Sequence, residues 1–196
     1  DSACILPPQT LSNKLIKKIK DITKSISRSL KIIGFINIQF AIKDDKVFVI
    51  EVNPRASRTI PFISKAIGVP LANLATKIML GKRLNKNKSK TSNSNYVCVK
   101  ESVFPFDRFP GEDIILGPEM KSTGEVMGID KNFPMAFLKS QMAAGNILPS
   151  SGSVFISVRD EDKENILFIC QLLEKLNYKI YTTKGTTSFL KKFIIK

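Results

Sequence analysis

Histidine and tryptophan are absent from the 196 residues, and cysteine occurs only three times. Without histidine there is no imidazole general base and no His-ligated zinc. Cys4, Cys98 and Cys170 lie far apart and are odd in number, so neither a metal spacing nor a disulfide framework follows. That usage fits a reducing compartment. No apolar run approaches the roughly 20 residues of a membrane span, so no membrane partner is expected. The opening Asp1-Ser2-Ala3-Cys4 carries no basic n-region, no apolar h-region and no initiator Met. The expectation is a piece of a longer cytoplasmic protein, with the mitochondrion as the alternative compartment.

Acidic residues are also scarce, with 17 Asp and Glu against 31 Lys and Arg and a formal charge of +14. Clustered basic charge is the electrostatic footprint of nucleic-acid-binding proteins, and a basic nucleic-acid-binding module is one alternative function. Against it, the lysines spread through helical and loop segments, and there is no zinc-finger spacing and no aromatic stacking platform. Solvated faces account for the charge, and no nucleic-acid partner is expected. At 43% hydrophobic the chain can build a core, and its length suits one domain or one and a half.

What is present is concentrated in Glu51-Val52-Asn53-Pro54-Arg55-Ala56-Ser57-Arg58, which follows the apolar strand pattern Val47 to Ile50. Alternation puts Glu51 and Asn53 on one face and Phe48, Ile50 and Val52 on the other. The preceding segment repeats the device. Ile36, Ile38, Phe40 and Ile42 share an apolar face, and Asn37 and Gln39 point the other way. Oxygen ligands on two neighbouring strands suit a hard cation such as Mg²⁺, and guanidiniums beside them suit phosphate. Gln39 must then stand opposite Glu51, because directly opposed residues of an antiparallel pair project to one side. That pairing predicts an odd connection of three or five residues around Lys43-Asp44-Asp45-Lys46, with a bulge and a positive φ near Asp45.

Upstream, Ser12 or Thr10 can cap a helix bearing Leu15, Ile16, Ile19, Ile22, Ile26 and Leu30 on one face. Downstream, Phe62 to Ile67 and Leu71 to Leu80 read as short helices closed by Gly68 and Gly81, with Pro70 in the first turn of the second. Residues 82–95 are polar, aperiodic and read as a surface connection. Tyr96 to Phe104 read as a strand, and Asn132 can cap a helix from Phe133 to Ala144. From about residue 146 strands and helices alternate: Ser153 to Val158, then Glu161 to Leu176 capped by Asp160, then Tyr178 to Thr182. That grammar predicts a parallel pair with a right-handed crossover.

Asn37-Ile38-Gln39-Phe40-Ala41, the run Ile50 to Arg58, and Thr59 through Ser64-Lys65-Ala66-Ile67-Gly68-Val69-Pro70 resemble the ATP-grasp domain of the carbamoyl phosphate synthetase large chain. Gly117-Pro118-Glu119-Met120-Lys121-Ser122-Thr123-Gly124-Glu125-Val126-Met127-Gly128 is similar to a second signature of that family. The resemblance covers nearly the whole chain. It implies an α/β chain in two parts: residues 1–145 as the C-terminal part of an ATP-grasp domain with an antiparallel sheet, and residues 146–196 as the start of a parallel, methylglyoxal-synthase-like allosteric domain. It implies an ATP-dependent ligase that phosphorylates carbamate, with this piece inactive alone. Another ATP-grasp ligase, such as a biotin-dependent carboxylase, is the nearest alternative.

The same resemblance implies roles. Gln39 and Glu51 hold one Mg²⁺ or Mn²⁺ with ATP, and Glu51 and Asn53 hold a second. Two such ions stand about 3.5–4 Å apart in in-line displacements. Arg58 and Arg55 neutralise the transferring phosphoryl, and Ser2 matches a position for a monovalent cation such as K⁺. Lys100 and Glu125 match positions on the passage carrying carbamate, derived from bicarbonate. Thr183, Gly185 and Thr186 match a site for a phosphorylated allosteric effector, although Pro149-Ser150-Ser151 stands where the family offers lysine. A glutamine amidotransferase subunit or domain is the implied protein partner.

Overall fold

In a computed structural model, residues 2–84, 95–108, 111 and 113–193 are described. They form two compact units, residues 1–146 and 147–196, of mixed α/β construction. Asp1, Pro110 and most of the connection at 82–95 lie outside the described residues.

In the first unit, helix α1 (Asn13–Ser29) begins where Ser12 Oγ accepts the Leu15 amide at 3.3 Å. That bond satisfies one of the four orphan donors of the helix start. Leu15 is buried, and Ile16, Ile19, Ile22 and Ile26 are half-buried along one side. Leu30, expected on this stripe, lies at the helix end and is exposed. The helix packs on β3 (Lys46–Asn53), which pairs antiparallel with β2 (Asn37–Lys43).

The connection of this hairpin differs from the expected odd loop. Lys43 pairs with Lys46, leaving a two-residue turn at Asp44 and Asp45 with φ of 49° and 58°. Two consecutive left-handed residues give the turn whose twist matches a hairpin, and Asp tolerates that conformation. A bulge restores the parity. Phe40 pairs with Val49, Gln39 pairs with Glu51, and Ile50 is the extra residue between them. The bulge also corrects the expected faces. Phe48 opposes Ala41 and so lies on the Gln39 side, while Val47, Val49 and Val52 oppose Ile42, Phe40 and Ile38 on the apolar side.

The rest of the first unit is a three-stranded antiparallel sheet, β1 (Cys4–Leu6), β4 (Val97–Val103) and β5 (Gly124–Asp130), with β4 central. Helix α2 (Ile60–Ile67) covers one face, packing Phe62 and Ala66 on Cys98, Leu6 and Met127. It ends at Gly68, left-handed at φ 68°, and α3 (Leu71–Met79) follows Pro70. Helix α4 (Phe133–Ala143) starts where Asn132 Oδ1 accepts the Met135 amide at 3.0 Å, and it covers the other face through Ala136. With both faces covered, β4 is buried on consecutive residues Val97 to Lys100, and simple alternation is lost. Burial pushes the Cys98 thiol above its ordinary value.

The second unit places β6 (Ser153–Ile156) parallel to β7 (Lys179–Thr182), joined through α5 (Lys163–Lys175). The helix is shorter than expected at its start. Asp160 opens a 3-10 turn, Asp160–Asp162, and spends its carboxylate on Lys163 at 2.5 Å instead of capping the helix. That pair holds the Asp160 carboxyl below its ordinary value. Asn177 ends the helix in the left-handed region at φ 61°. Ile156, Cys170 and Leu190, the last from α6 (Lys184–Leu190), form the core. Burial, and then the Glu174 charge, raise the Cys170 thiol. Among the described residues no helix is long and apolar enough to cross a membrane.

Candidate functional site

The hairpin delivers its polar residues to one side because of the bulge at Ile50. Gln39 faces Glu51, and Asn37 faces Asn53 two pairs along. Gln39 and Glu51 are exposed, and the Asn53 amide nitrogen donates to Glu51 Oε1. One carboxylate flanked by amides is a hard-oxygen donor set, the kind Mg²⁺ accepts when phosphate and water complete its shell. A half-turn of the Asn53 amide would present Oδ1 in place of nitrogen beside the carboxylate. The residues therefore fit a divalent cation. Among the described residues no three His, Cys, Asp or Glu side chains converge as a metal cluster, so the carboxamides are essential to this fit.

The chain turns directly after β3. The Arg55 amide donates to Asn53 O at 2.8 Å, and the Ile60 amide donates to Ser57 O at 3.1 Å, starting α2. The two arginines part here. Arg55 folds onto its own neighbour, donating to Ala56 O at 3.1 Å. Arg58 reaches across 64 residues of sequence, where Nη2 donates to Ser122 Oγ at 3.3 Å and Nη1 meets the Met120 sulfur. The first signature thus touches the second through a guanidinium. Ser122 and Met120 were missed as partners in the sequence, since nothing local marks a contact over that separation.

Beside this contact, α2 and β5 border an open groove of about 740 Å³ lined by Arg58, Lys65, Phe62, Lys100, Glu125 and Met127 among others. Lys100 is only 5% exposed, and its Nζ lies 3.0 Å from Glu125 Oε1. The two are diagonal neighbours on one sheet face, since Lys100 opposes Met127 and Ser102 opposes Glu125. A buried ammonium is tolerated only when paired, and the carboxylate provides that pairing. Three cations against one carboxylate make the groove attractive to small anions. Lys65 on α2 lies within the first resembling run but carries no assigned role in the sequence. Ser2 is exposed at the start of the chain, with no described contact to this groove.

In the second unit the expected effector residues gather around the start of α6. Thr183 Oγ1 and Thr186 Oγ1 lie 3.2 Å apart, and Thr182 Oγ1 and Thr187 Oγ1 lie 2.5 Å apart. Thr183 is the cap residue but makes no side-chain cap bond, and Thr186 is buried at 1% exposure. Lys163, which the sequence reading did not single out, donates to Gly185 O at 3.2 Å and is also paired with Asp160. Thr183, Gly185, Thr186 and one lysine thus meet in one place.

Comparison with known proteins follows the same motifs. Residues 1–87 match the family model described as carbamoyl-phosphate synthase L chain, ATP binding domain. The chain is 49% identical over 202 residues to the carbamoyl phosphate synthase large chain, C-terminal section, of Methanocaldococcus jannaschii, covering 97% of this chain and 33% of the relative. It is 52% identical over 195 residues to the large chain of Archaeoglobus fulgidus, covering 97% of this chain and 18% of that protein. For Rhizobium meliloti the identity is 47% over 196 residues, with 97% and 17% covered. The chain therefore spans a third or less of the length of these relatives. The chain belongs to the carbamoyl phosphate synthase large-chain family.

Proposed function

We propose that this chain supplies part of the site at which Mg-ATP phosphorylates carbamate to carbamoyl phosphate in a full-length synthase. The observation that carries the reading is the bulge at Ile50, which sets Gln39 opposite Glu51 on the exposed side of the hairpin. Gln39, Glu51 and Asn53 would hold divalent cations, which neutralise phosphate charge when bound. Arg58 binds the transferring phosphoryl oxygens through its planar fork and stabilises charge as it spreads over them. Arg55, exposed and bonded to the Ala56 carbonyl, turns its fork to the same phosphates. Lys100 and Glu125 guide the carbamate anion along the groove, the buried ammonium attracting it and the carboxylate holding that ammonium in place. Residues 1–145 are the C-terminal part of the ATP-grasp domain in this reading. A glutaminase subunit or domain supplies ammonia, and a monovalent cation binds near Ser2.

The test is made on the full-length protein carrying this segment. It should form carbamoyl phosphate from bicarbonate, ammonia and Mg-ATP, and Arg58→Ala should lower that rate roughly 10²-fold or more, as removal of a transition-state donor does. A wild-type protein without this activity, or an Arg58→Ala variant at full rate, overturns the reading.

Residues 146–196 are read as the start of an allosteric domain, with Thr183, Gly185, Thr186 and Lys163 receiving a phosphorylated effector. Replacing both Thr183 and Thr186 by Ala removes two hydroxyls that bond each other, so no partner is orphaned and the fold should persist. The expected outcome is a blunted response to the effector at an unchanged unregulated rate, measured with and without effector. A collapse of the unregulated rate would count against the regulatory assignment.

A further inference from the structure

Resting on that reading of Arg58, we infer that Ser122 is the positioning residue that aims the Arg58 guanidinium at the phosphoryl group. A guanidinium on a long, flexible stem is useful to a developing charge only if its fork is held in place before the reaction. Arg58 is exposed, and the turn bonds described immediately around it run between backbone groups and the Ser57 hydroxyl. Two contacts that hold the guanidinium come from the other signature, the hydroxyl of Ser122 at 3.3 Å and the sulfur of Met120.

The two contacts are not equivalent. Ser122 is half-buried, and the next residue is pinned to the sheet, the Thr123 amide donating to Val103 O at 3.0 Å. Met120 is 63% exposed, and a thioether is a weak acceptor. The segment also folds on itself, with Lys121 Nζ donating to Asp113 O at 3.1 Å. Ser122 therefore carries the rigidity of the β4–β5 sheet to the guanidinium. Among the described residues the Arg55 side chain bonds to its own neighbour's carbonyl and has no such brace. The hydroxyl acts through Arg58 and does not itself touch the reacting atoms.

The experiment uses the full-length protein and compares Ser122→Ala, Ser122→Thr, Arg58→Ala and the double variant Arg58→Ala/Ser122→Ala. Ser122→Ala should lower kcat for carbamoyl phosphate roughly tenfold with little change in the KM for ATP, since misplacement of a catalytic group costs rate. Ser122→Thr, which keeps the hydroxyl, should recover most of that loss. The double variant should be no slower than Arg58→Ala alone, because residues acting as a unit are not additive. Full activity in Ser122→Ala, failure of Thr to rescue, or a further tenfold loss in the double variant each overturns the inference. If instead Arg58→Ala is fully active, the role given to Arg58 falls, and that outcome is distinct from a silent Ser122.

Discussion

Glu51→Gln in the full-length synthase is expected to reduce carbamoyl phosphate formation at least about 10²-fold while leaving the fold intact. Glu51 is the carboxylate on the polar side of the hairpin among Gln39, Asn37 and Asn53. A neutral isostere keeps its length and shape but removes the charge a divalent cation requires. Stability should change by no more than about 0.5 kcal/mol, because the side chain is exposed and its near partner, the Asn53 amide, can still donate to a carboxamide oxygen. The family resemblance implies two synthetase halves in series, one phosphorylating bicarbonate and the other carbamate, so bicarbonate-dependent ATP turnover should survive in this variant of the second half. Assaying carbamoyl phosphate and ADP side by side separates the two. Near-normal carbamoyl phosphate synthesis by the variant would refute the ligand role, and loss of both activities with a lowered unfolding temperature would show a structural role instead.

The same hairpin shows where the sequence was legible and where it was not. The alternation around Gln39 and Glu51 identified the two strands, and the pairing of these residues follows from needing both on one side. The turn length did not follow, because the expected bulge belongs to the connection in that reading, whereas it lies within the strand pair. A bulge adds a residue to one strand only, so Ile50 absorbed the mismatch and let Asp44-Asp45 form the tight turn. Phe48 changed sides for the same reason. Nothing in Val97-Cys98-Val99-Lys100 marks Lys100 as buried, yet it is, because β4 is the middle strand between two helical layers. Burial of that kind depends on which strands flank it, and β1 lies more than 90 residues earlier. Contacts such as Arg58 with Ser122 are tertiary in the same sense. Each residue lay within a recognised motif, and only the fold joins them. Asp160 looked like a helix cap by type and position, but Lys163 one turn later took its carboxylate.

A second large effect is expected from one added methyl group at Gly128. This glycine sits in β5 opposite Val99, on the face where α4 packs. A Cβ built there would stand 2.0 Å from Ala136 O and 2.5 Å from Ser140 N. Both are backbone atoms of α4, so no side-chain rotation relieves the clash, and the helix must lift by an ångström or more. Ala136 and Ser140 are fully buried, and Ser140 Oγ donates to Phe137 O at 2.7 Å. Lifting the helix would open packed surface along its length. Gly128→Ala should therefore destabilise the first unit by about 3 kcal/mol, at the upper end for overpacking. Gly124→Ala is the control on the same strand, since a Cβ there meets nothing within 4 Å. Denaturant unfolding gives the size of the effect, and hydrogen exchange gives its place, with α4 amides losing protection first in Gly128→Ala. Because β5 also carries Glu125 and Met127 on its opposite face, the variant should weaken the groove as well as the core. Equal stability of the two glycine variants would mean that α4 does not sit on β5 as closely as Gly128 requires.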